Sequence, residues 1–198
     1  MKMRTFLYFS LILSGGCASY TAVGPGEITR TGLIVQTGRA WNQAPISTNS
    51  MARPGSTIWT QDGLLLDRIM IIPAVPSGEP LFRQSSLWQA LPVFKAAMLA
   101  NEIEELTESS IVKLFGEGGV VVQTSHLRPH RYGENWGILF DMELTIADGP
   151  GYKGVTGALV VNEKLYLIFF LGAEPYYYQK HLGDALEVIK SARVVTSS

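Results

Sequence analysis

Hydrophobic residues recur at helical spacing in two segments of the chain. In the segment 101–115 they are three or four positions apart, at Ile103, Leu106 and Leu114, with the small Ser110 in the same series. This spacing places them on one face and predicts an amphipathic helix. A second helix is predicted over residues 175–193, whose core face carries Leu182, Leu186 and Ile189.

Strand patterns occupy much of the remaining chain. A first strand is predicted within 27–37, and two more, 56–62 and 64–72, meet at the turn dipeptide Asp62-Gly63. Four later segments are rich in β-branched or aromatic residues and are joined by short turns, which predicts an antiparallel meander: 120–127, 137–147, 152–162 and 165–172. The segments 41–54 and 73–92 are rich in polar residues or proline and are predicted to be loops.

The strand predicted over 137–147 has two faces of different character. Polar or small residues predominate on one face, which holds Leu139, Asp141, Glu143, Thr145 and Ala147. The other face is apolar throughout, with Phe140, Met142, Leu144 and Ile146. This alternation is typical of an antiparallel sheet with one buried and one wetter face. The chain is therefore expected to be a single α+β domain.

The amino terminus has the pattern of an export signal. Lys2 and Arg4 precede a nine-residue apolar stretch, and the small residues 14–16 lead to Cys17. The apolar stretch is too short to span a bilayer as a stable helix. A cysteine directly after small residues resembles the lipobox of bacterial lipoproteins, although Ser14 stands where the lipobox usually has leucine. An ordinary secretory signal with an incidental cysteine is the alternative.

The lipobox resemblance implies a division of the chain and a location. Residues 1–16 would be a removed signal peptide, 17–26 a tether lipidated at Cys17, and 27–198 one folded domain. Ala18 and Ser19 follow the cysteine, where enterobacterial lipoproteins retained at the inner membrane have aspartate. The resemblance thus implies an anchor in the outer membrane, with the domain facing the periplasm.

Composition narrows the classes of partner and site. The 198-residue chain has a formal net charge of −1, and without residues 1–16 it has fourteen basic and seventeen acidic side chains. Nucleic-acid binding needs a basic face, so nucleic acid is not expected as a partner. The single cysteine excludes a disulfide framework and a cysteine-ligated metal cluster. No cofactor and no metal are expected.

Several segments together resemble a group of uncharacterised proteobacterial lipoproteins. They are the leader with Cys17, Trp41-Asn42, residues 59–63, Asn101-Glu102, residues 165–168, residues 176–178 and the closing Ser191-Ala192-Arg193. The order of strands, helix, meander and helix is also similar to the photosystem II extrinsic subunit P fold. That resemblance implies an α/β/α sandwich, a largely antiparallel sheet packed with helices. It also implies a binding, assembly or accessory role in place of catalysis.

Catalytic motifs are missing from the sequence. It contains no Gly-x-Ser-x-Gly elbow, and the glycine-rich segment 116–119 lacks the Lys and Ser/Thr of a P-loop. An envelope hydrolase remains the alternative function. It would use Asp141 and Glu143, two apart on one strand face, or a weak metal site at His126 and His130.

Aromatic residues are the favoured binding candidates. Tyr176, Tyr177 and Tyr178 are consecutive, so at a helix start they point in different directions and cannot all be buried. Tyr132 and Trp136 flank a bend that contains Gly133. Exposed aromatic side chains favour interfaces because they combine apolar area with a polar tip. The leading hypothesis is a non-catalytic, lipid-anchored periplasmic protein that binds an envelope protein through these residues; alternatively, two of the tyrosines seal the helix onto the sheet.

Overall fold

A computed structural model of the chain describes residues 19–45, 51–83, 90–116 and 118–195. Its two helices are α1 (Ala100–Phe115) and α2 (Tyr177–Lys190). The strands are β1 (Thr21–Val23), β2 (Gly26–Arg30), β3 (Leu33–Thr37), β4 (Trp41–Gln43), β5 (Thr57–Thr60), β6 (Asp67–Pro76), β7 (Val120–Tyr132), β8 (Asn135–Ile146), β9 (Gly151–Val161), β10 (Lys164–Ala173) and β11 (Arg193–Val194). The predicted leader and Cys17 lie outside the described residues.

An eight-stranded sheet forms the middle layer of the domain. Its strand order is β1-β4-β5-β6-β10-β9-β8-β7, and every pairing between neighbours is antiparallel. A smaller sheet has the order β11-β3-β2. The predicted meander is confirmed, since β7 to β10 are consecutive neighbours.

Each face of the large sheet has its own core because side chains alternate along a strand. On β6, Met70 and Ile72 point into the core under α1, whereas Ile69 and Ile71 point into the core under α2 and the small sheet. Ile103, Leu106 and Ile111 bring the apolar stripe of α1 into the first core. The molecule is therefore an α/β/α sandwich of the α+β class, which confirms the expected fold.

The amino-terminal part of the domain differs from the prediction. The segment 17–26 was expected to be a tether, yet Thr21–Val23 forms β1, which pairs with β4 at the edge of the large sheet. Val23 is buried in the core under α2. Burial of Val23 and the pairing of β1 with Trp41–Gln43 thus stabilise a strand here, although the neighbouring Gly and Pro residues favour a loop.

The segment 73–92, predicted as a loop, begins as a strand. β6 continues through Pro73 to Pro76. Pro73 lies beyond the last residue of β6 that pairs with β5, and the register with β10 shifts at this point. A proline is tolerated there because no neighbouring carbonyl needs its missing N–H group.

Candidate functional site

An apolar cavity of about 280 Å³ lies between α1 and the central strands of the large sheet. Its walls include Met70 of β6, Phe169 and Leu171 of β10, and Ile111 and Leu114 of α1. These strand residues share the sheet face that packs against α1, since Met70 pairs with Phe169 in the β6–β10 register. The volume lies near the lower end of the range for small-molecule pockets, roughly 300–1,000 Å³.

Arg68 is the one charged residue among the described residues that line this cavity. Its Nη1 donates a hydrogen bond to the carbonyl oxygen of Leu64 at 3.1 Å, and its guanidinium carbon lies 5.4 Å from the centre of the Tyr152 ring. No carboxylate among the described residues forms an ion pair with it. Burial lowers the pKa of the Arg68 guanidinium, and the interaction with Tyr152 opposes this shift. Arg68 nevertheless keeps its positive charge, because arginine is not deprotonated in proteins.

Two exposed apolar side chains border the cavity. Leu65, in the loop between β5 and β6, is 77% exposed, and Phe115, the last residue of α1, is 41% exposed. The loop is fixed to the sheet, because the Tyr152 hydroxyl donates to the Leu65 carbonyl at 2.9 Å and the Ala173 amide donates to the Leu66 carbonyl at 2.8 Å. The mouth of the cavity thus lies at the end of the sheet where β10 finishes and α2 starts.

Tyr176 and Tyr177 lie at the same end of the sheet, at the start of α2. Tyr176 is 61% exposed, and its ring meets that of Tyr177 edge to face at a centroid distance of 5.2 Å. The Nζ of Lys180 is 5.6 Å from the first ring and 5.7 Å from the second, and 2.6 Å from Oδ2 of Asp62. We call Leu65, Phe115, Tyr176 and Tyr177 the end surface. Cation–π contacts and the ion pair hold its aromatic part in one arrangement.

A polar network beneath the end surface joins the β5–β6 loop to α2. Oδ2 of Asp62 lies 2.6 Å from Nε2 of His181, which is buried. The hydrogen bond from Lys180, followed by that from His181, holds the pKa of the Asp62 carboxyl below its ordinary value. These contacts lock the loop onto the helix.

Asp62 and His181, together with Asp67, have the donor atoms of a metal site, with one ligand atom from each residue within 4.8 Å of the others. The buried Asp67 carboxylate, however, already accepts hydrogen bonds from the Thr60 hydroxyl and from two backbone amides, those of residues 61 and 62. The Lys180 ammonium contacts the remaining carboxylate, that of Asp62. Contacts within the protein therefore account for both oxygens of Asp67 and for Oδ2 of Asp62.

The aromatic residues proposed from the sequence do not form one surface. Tyr132 was expected to be exposed, but it is 1% exposed, its hydroxyl donates to the Ile138 carbonyl at 3.0 Å, and burial raises its pKa. This expectation was wrong because Tyr132 points into the core under α2. Tyr177 and Tyr178 are half-buried and pack against opposite cores, so these two tyrosines help to seal the helix.

Trp136 is 68% exposed but lies at the far end of the sheet from Tyr176. Its neighbour Gly137 pairs with Leu159 of β9, and Leu159 pairs with Tyr166 near the start of β10. Tyr176 instead follows the end of β10. Trp136 and Tyr176 therefore lie at two separate positions, and the prediction of a single aromatic surface was wrong.

Asp141 and Glu143 do share one face of β8, each beside positive side chains. Asp141 forms an ion pair with Arg128 at 2.9 Å, Nδ1 of His126 lies 3.2 Å from its Oδ2, and Glu143 is 3.7 Å from Nζ of Lys153. Both carboxylates are partly or largely exposed and neither lines the apolar cavity. Asp141 and Glu143 thus form ion pairs outside the apolar cavity, and this geometry gives no support to a pair of catalytic carboxylates.

His126 and His130 have different partners. His126 occupies a bulge of β7 with φ of 55° and contacts Asp141, whereas the His130 ring packs edge-on against Tyr132 at 4.7 Å. The separate contacts of these rings give no support to a shared metal site.

Sequence reasoning missed Arg68, Leu65 and Phe115. One signal was present, because Arg68 is the only basic residue of the predicted strand 64–72 and directly precedes the apolar run 69–72. Leu64-Leu65-Leu66 is also an apolar run beside a turn. An apolar run directly after Asp-Gly was interpreted as the start of a strand. In the structure it is a loop that leaves Leu65 exposed.

The chain is similar in structure to cyanobacterial PsbP (CyanoP) from Synechocystis sp. PCC 6803, known from a solution structure. The TM-score is 0.58 with 11% sequence identity, over 92% of this chain and 96% of that chain. An identity this low shows the fold alone, and the resemblance to the photosystem II extrinsic subunit P fold is thereby confirmed. No protein-family model and no curated protein matches the sequence.

Within the described residues, neither helix has the length and apolar character needed to cross a bilayer.

Proposed function

We propose that this chain is a lipid-anchored binding or accessory protein of the bacterial envelope that acts without catalytic turnover. In this proposal Cys17 carries the lipid, the anchor lies in the outer membrane, and the domain faces the periplasm. The end surface binds an envelope protein. The observation that carries the proposal is that Leu65 and Tyr176, two strongly exposed residues with large apolar side chains, lie at the same end of the sheet.

Single exposed apolar residues are common on protein surfaces and need no explanation. Here, however, two chain segments contribute to one area, since Lys180 connects the Tyr176 ring with Asp62 in the loop of Leu65. Tyrosine is enriched at protein interfaces, where its ring contributes apolar area and its hydroxyl a hydrogen bond. A surface already held in one arrangement loses little side-chain entropy on binding.

The protein partner is tested by affinity capture of the membrane-bound chain from the bacterium that makes it. We expect a partner that co-purifies with the wild-type chain and is lost with Leu65→Ser and with Tyr176→Ala. Trp136→Ala is the matched control, because it removes an equally exposed aromatic ring at the other end of the sheet. A partner retained by both end-surface variants, or lost with the control alone, would overturn the proposal.

The anchor is tested separately by cell fractionation. Cys17→Ser removes the thiol to which the lipid would be attached, and we expect the variant to leave the membrane fraction. Several acyl chains give near-permanent attachment, whereas one chain binds only marginally. A variant that stays in the outer-membrane fraction as firmly as the wild type would refute lipidation without bearing on the end surface.

A further inference from the structure

We propose that the apolar cavity binds a small amphiphile, an alkyl chain with one anionic headgroup, and that Arg68 receives the headgroup. This ligand site shares Leu65 and Phe115 with the end surface, but it takes a small molecule and needs no protein partner. The inference rests on three features: the cavity itself, the composition of its walls, and a positive side chain without a counter-ion among the described residues.

The walls fit an alkyl chain. Apart from Arg68, the described residues that line the cavity are Leu, Ile, Met or Phe. Flexible aliphatic and thioether side chains adapt to a linear chain, and such a wall offers no side-chain hydrogen bond to a polar body. Burial of each methylene contributes ~0.8 kcal/mol. A chain of about ten carbons matches a small cavity of this kind.

The headgroup preference follows from Arg68. Its guanidinium has five N–H donors, and the structure shows one of them used, by the Leu64 carbonyl. A half-buried cation among apolar side chains has lost part of its hydration. A bound anion would replace the lost interactions with water. The planar fork of arginine suits a carboxylate or a phosphate. Both headgroups share this chemistry, and a cationic or uncharged headgroup lacks it.

The position of Arg68 also sets the orientation of the ligand. Arg68 is at the start of β6 and pairs with Leu171 near the end of β10, close to the exposed Leu65. The headgroup would therefore lie near the mouth of the cavity, and the alkyl chain would extend along Met70 and Phe169 toward the centre of the sheet.

The test is isothermal titration calorimetry of the purified full chain with decanoate, decyl phosphate, decan-1-ol and decyltrimethylammonium. The ionic probes are kept below their micelle concentrations and decan-1-ol below its solubility limit. We expect decanoate or decyl phosphate to bind more tightly than the other two, and their ratio distinguishes a carboxylate source from a phosphate source. Arg68→Met should weaken binding of the anionic probe about tenfold to a hundredfold, the range for a charged hydrogen bond, and leave decan-1-ol unchanged.

Two further variants make the test specific. Leu114→Trp fills the cavity and should abolish binding of every probe, and thermal unfolding shows whether this variant is folded. Arg131→Met removes an exposed arginine in the β7–β8 hairpin, outside the cavity, and should change nothing. The proposal is overturned if no anionic probe binds, if the anionic probes bind no more tightly than decan-1-ol, or if Arg68→Met and Arg131→Met have equal effects.

Discussion

Oδ2 of Asp62 lies 2.6 Å from Nε2 of His181, a residue 119 positions later in the chain. The same oxygen accepts a hydrogen bond from Lys180, also at 2.6 Å. The β5–β6 loop, which carries Leu65, and the first turn of α2, which follows Tyr176, are thus held together by one carboxylate. The positions of Leu65 and Tyr176 in the end surface therefore depend on this contact.

The charge on Asp62 should stabilise the fold in a pH-dependent way. Hydrogen bonds from Lys180 and then His181 hold its pKa below the ordinary value of 3.8, so the unfolded chain takes up a proton at higher pH than the folded one. The stabilisation is complete above pH ~4 and is lost as the pH falls through the folded-state pKa. Asp62→Asn should lower the free energy of unfolding at pH 7 by about 1 kcal/mol, the difference between charged and neutral hydrogen bonds.

Urea unfolding of both chains between pH 7 and pH 2 checks this prediction. The stability advantage of the wild type over Asp62→Asn should shrink as the pH falls below ~4, because position 62 titrates in that range only in the wild type. An advantage that does not change with pH would contradict the assigned role of the charge.

The approach of α2 to the sheet depends on Gly172. A Cβ atom at this position would lie 2.5 Å from Cα and 2.7 Å from N of Tyr178, and the backbone of α2 would have to move. Gly172→Ala should therefore destabilise the protein by about 1–3 kcal/mol, the usual cost of overpacking. Thermal or urea unfolding measures the change.

Gly183 is the matched control for Gly172. It lies on the exposed side of α2, and a Cβ there would meet no atom within 4 Å. Gly183→Ala should stabilise the protein by about 1 kcal/mol, because alanine is more favourable than glycine in a helix interior. Equal effects of the two substitutions would contradict the close contact at Gly172.

Arg68 should contribute little to folding. Its half-buried cation has one hydrogen bond to a carbonyl and no carboxylate partner among the described residues, so desolvation offsets much of what the hydrogen bond contributes. Arg68→Met should leave the free energy of unfolding within about 1 kcal/mol of the wild type or raise it. A loss well beyond that value in urea unfolding would make Arg68 a structural residue and not a ligand-binding one.

Patterns of apolar and polar residues along the sequence predicted much of the secondary structure. The apolar stripe from Ile103 to Leu114 located α1 to within one residue of its observed start at Ala100. The strand β7 was predicted to end near Leu127, but it continues to Tyr132. The longer strand includes Pro129, which is tolerated because β7 is an edge strand and the missing N–H of this proline is not needed by a second neighbour.

The candidate site could not be predicted in the same way. The β5–β6 loop, the end of α1 and the start of α2 are all at one end of the sheet, which brings Leu65, Phe115 and Tyr176 to that end. No spacing in the sequence encodes that proximity. The exposure of Trp136 and the burial of Tyr132, four positions apart, likewise follow from which sheet face each residue occupies.

Site-specific photocrosslinking in living cells tests the central claim, binding of an envelope protein through the end surface, most directly. A photoreactive phenylalanine analogue replaces Tyr176 in one strain and Trp136 in another, so that equally exposed positions at opposite ends of the sheet are compared. The account predicts a discrete crosslinked protein from position 176 and none from position 136. Crosslinks from position 136 alone, or from neither position, would contradict it.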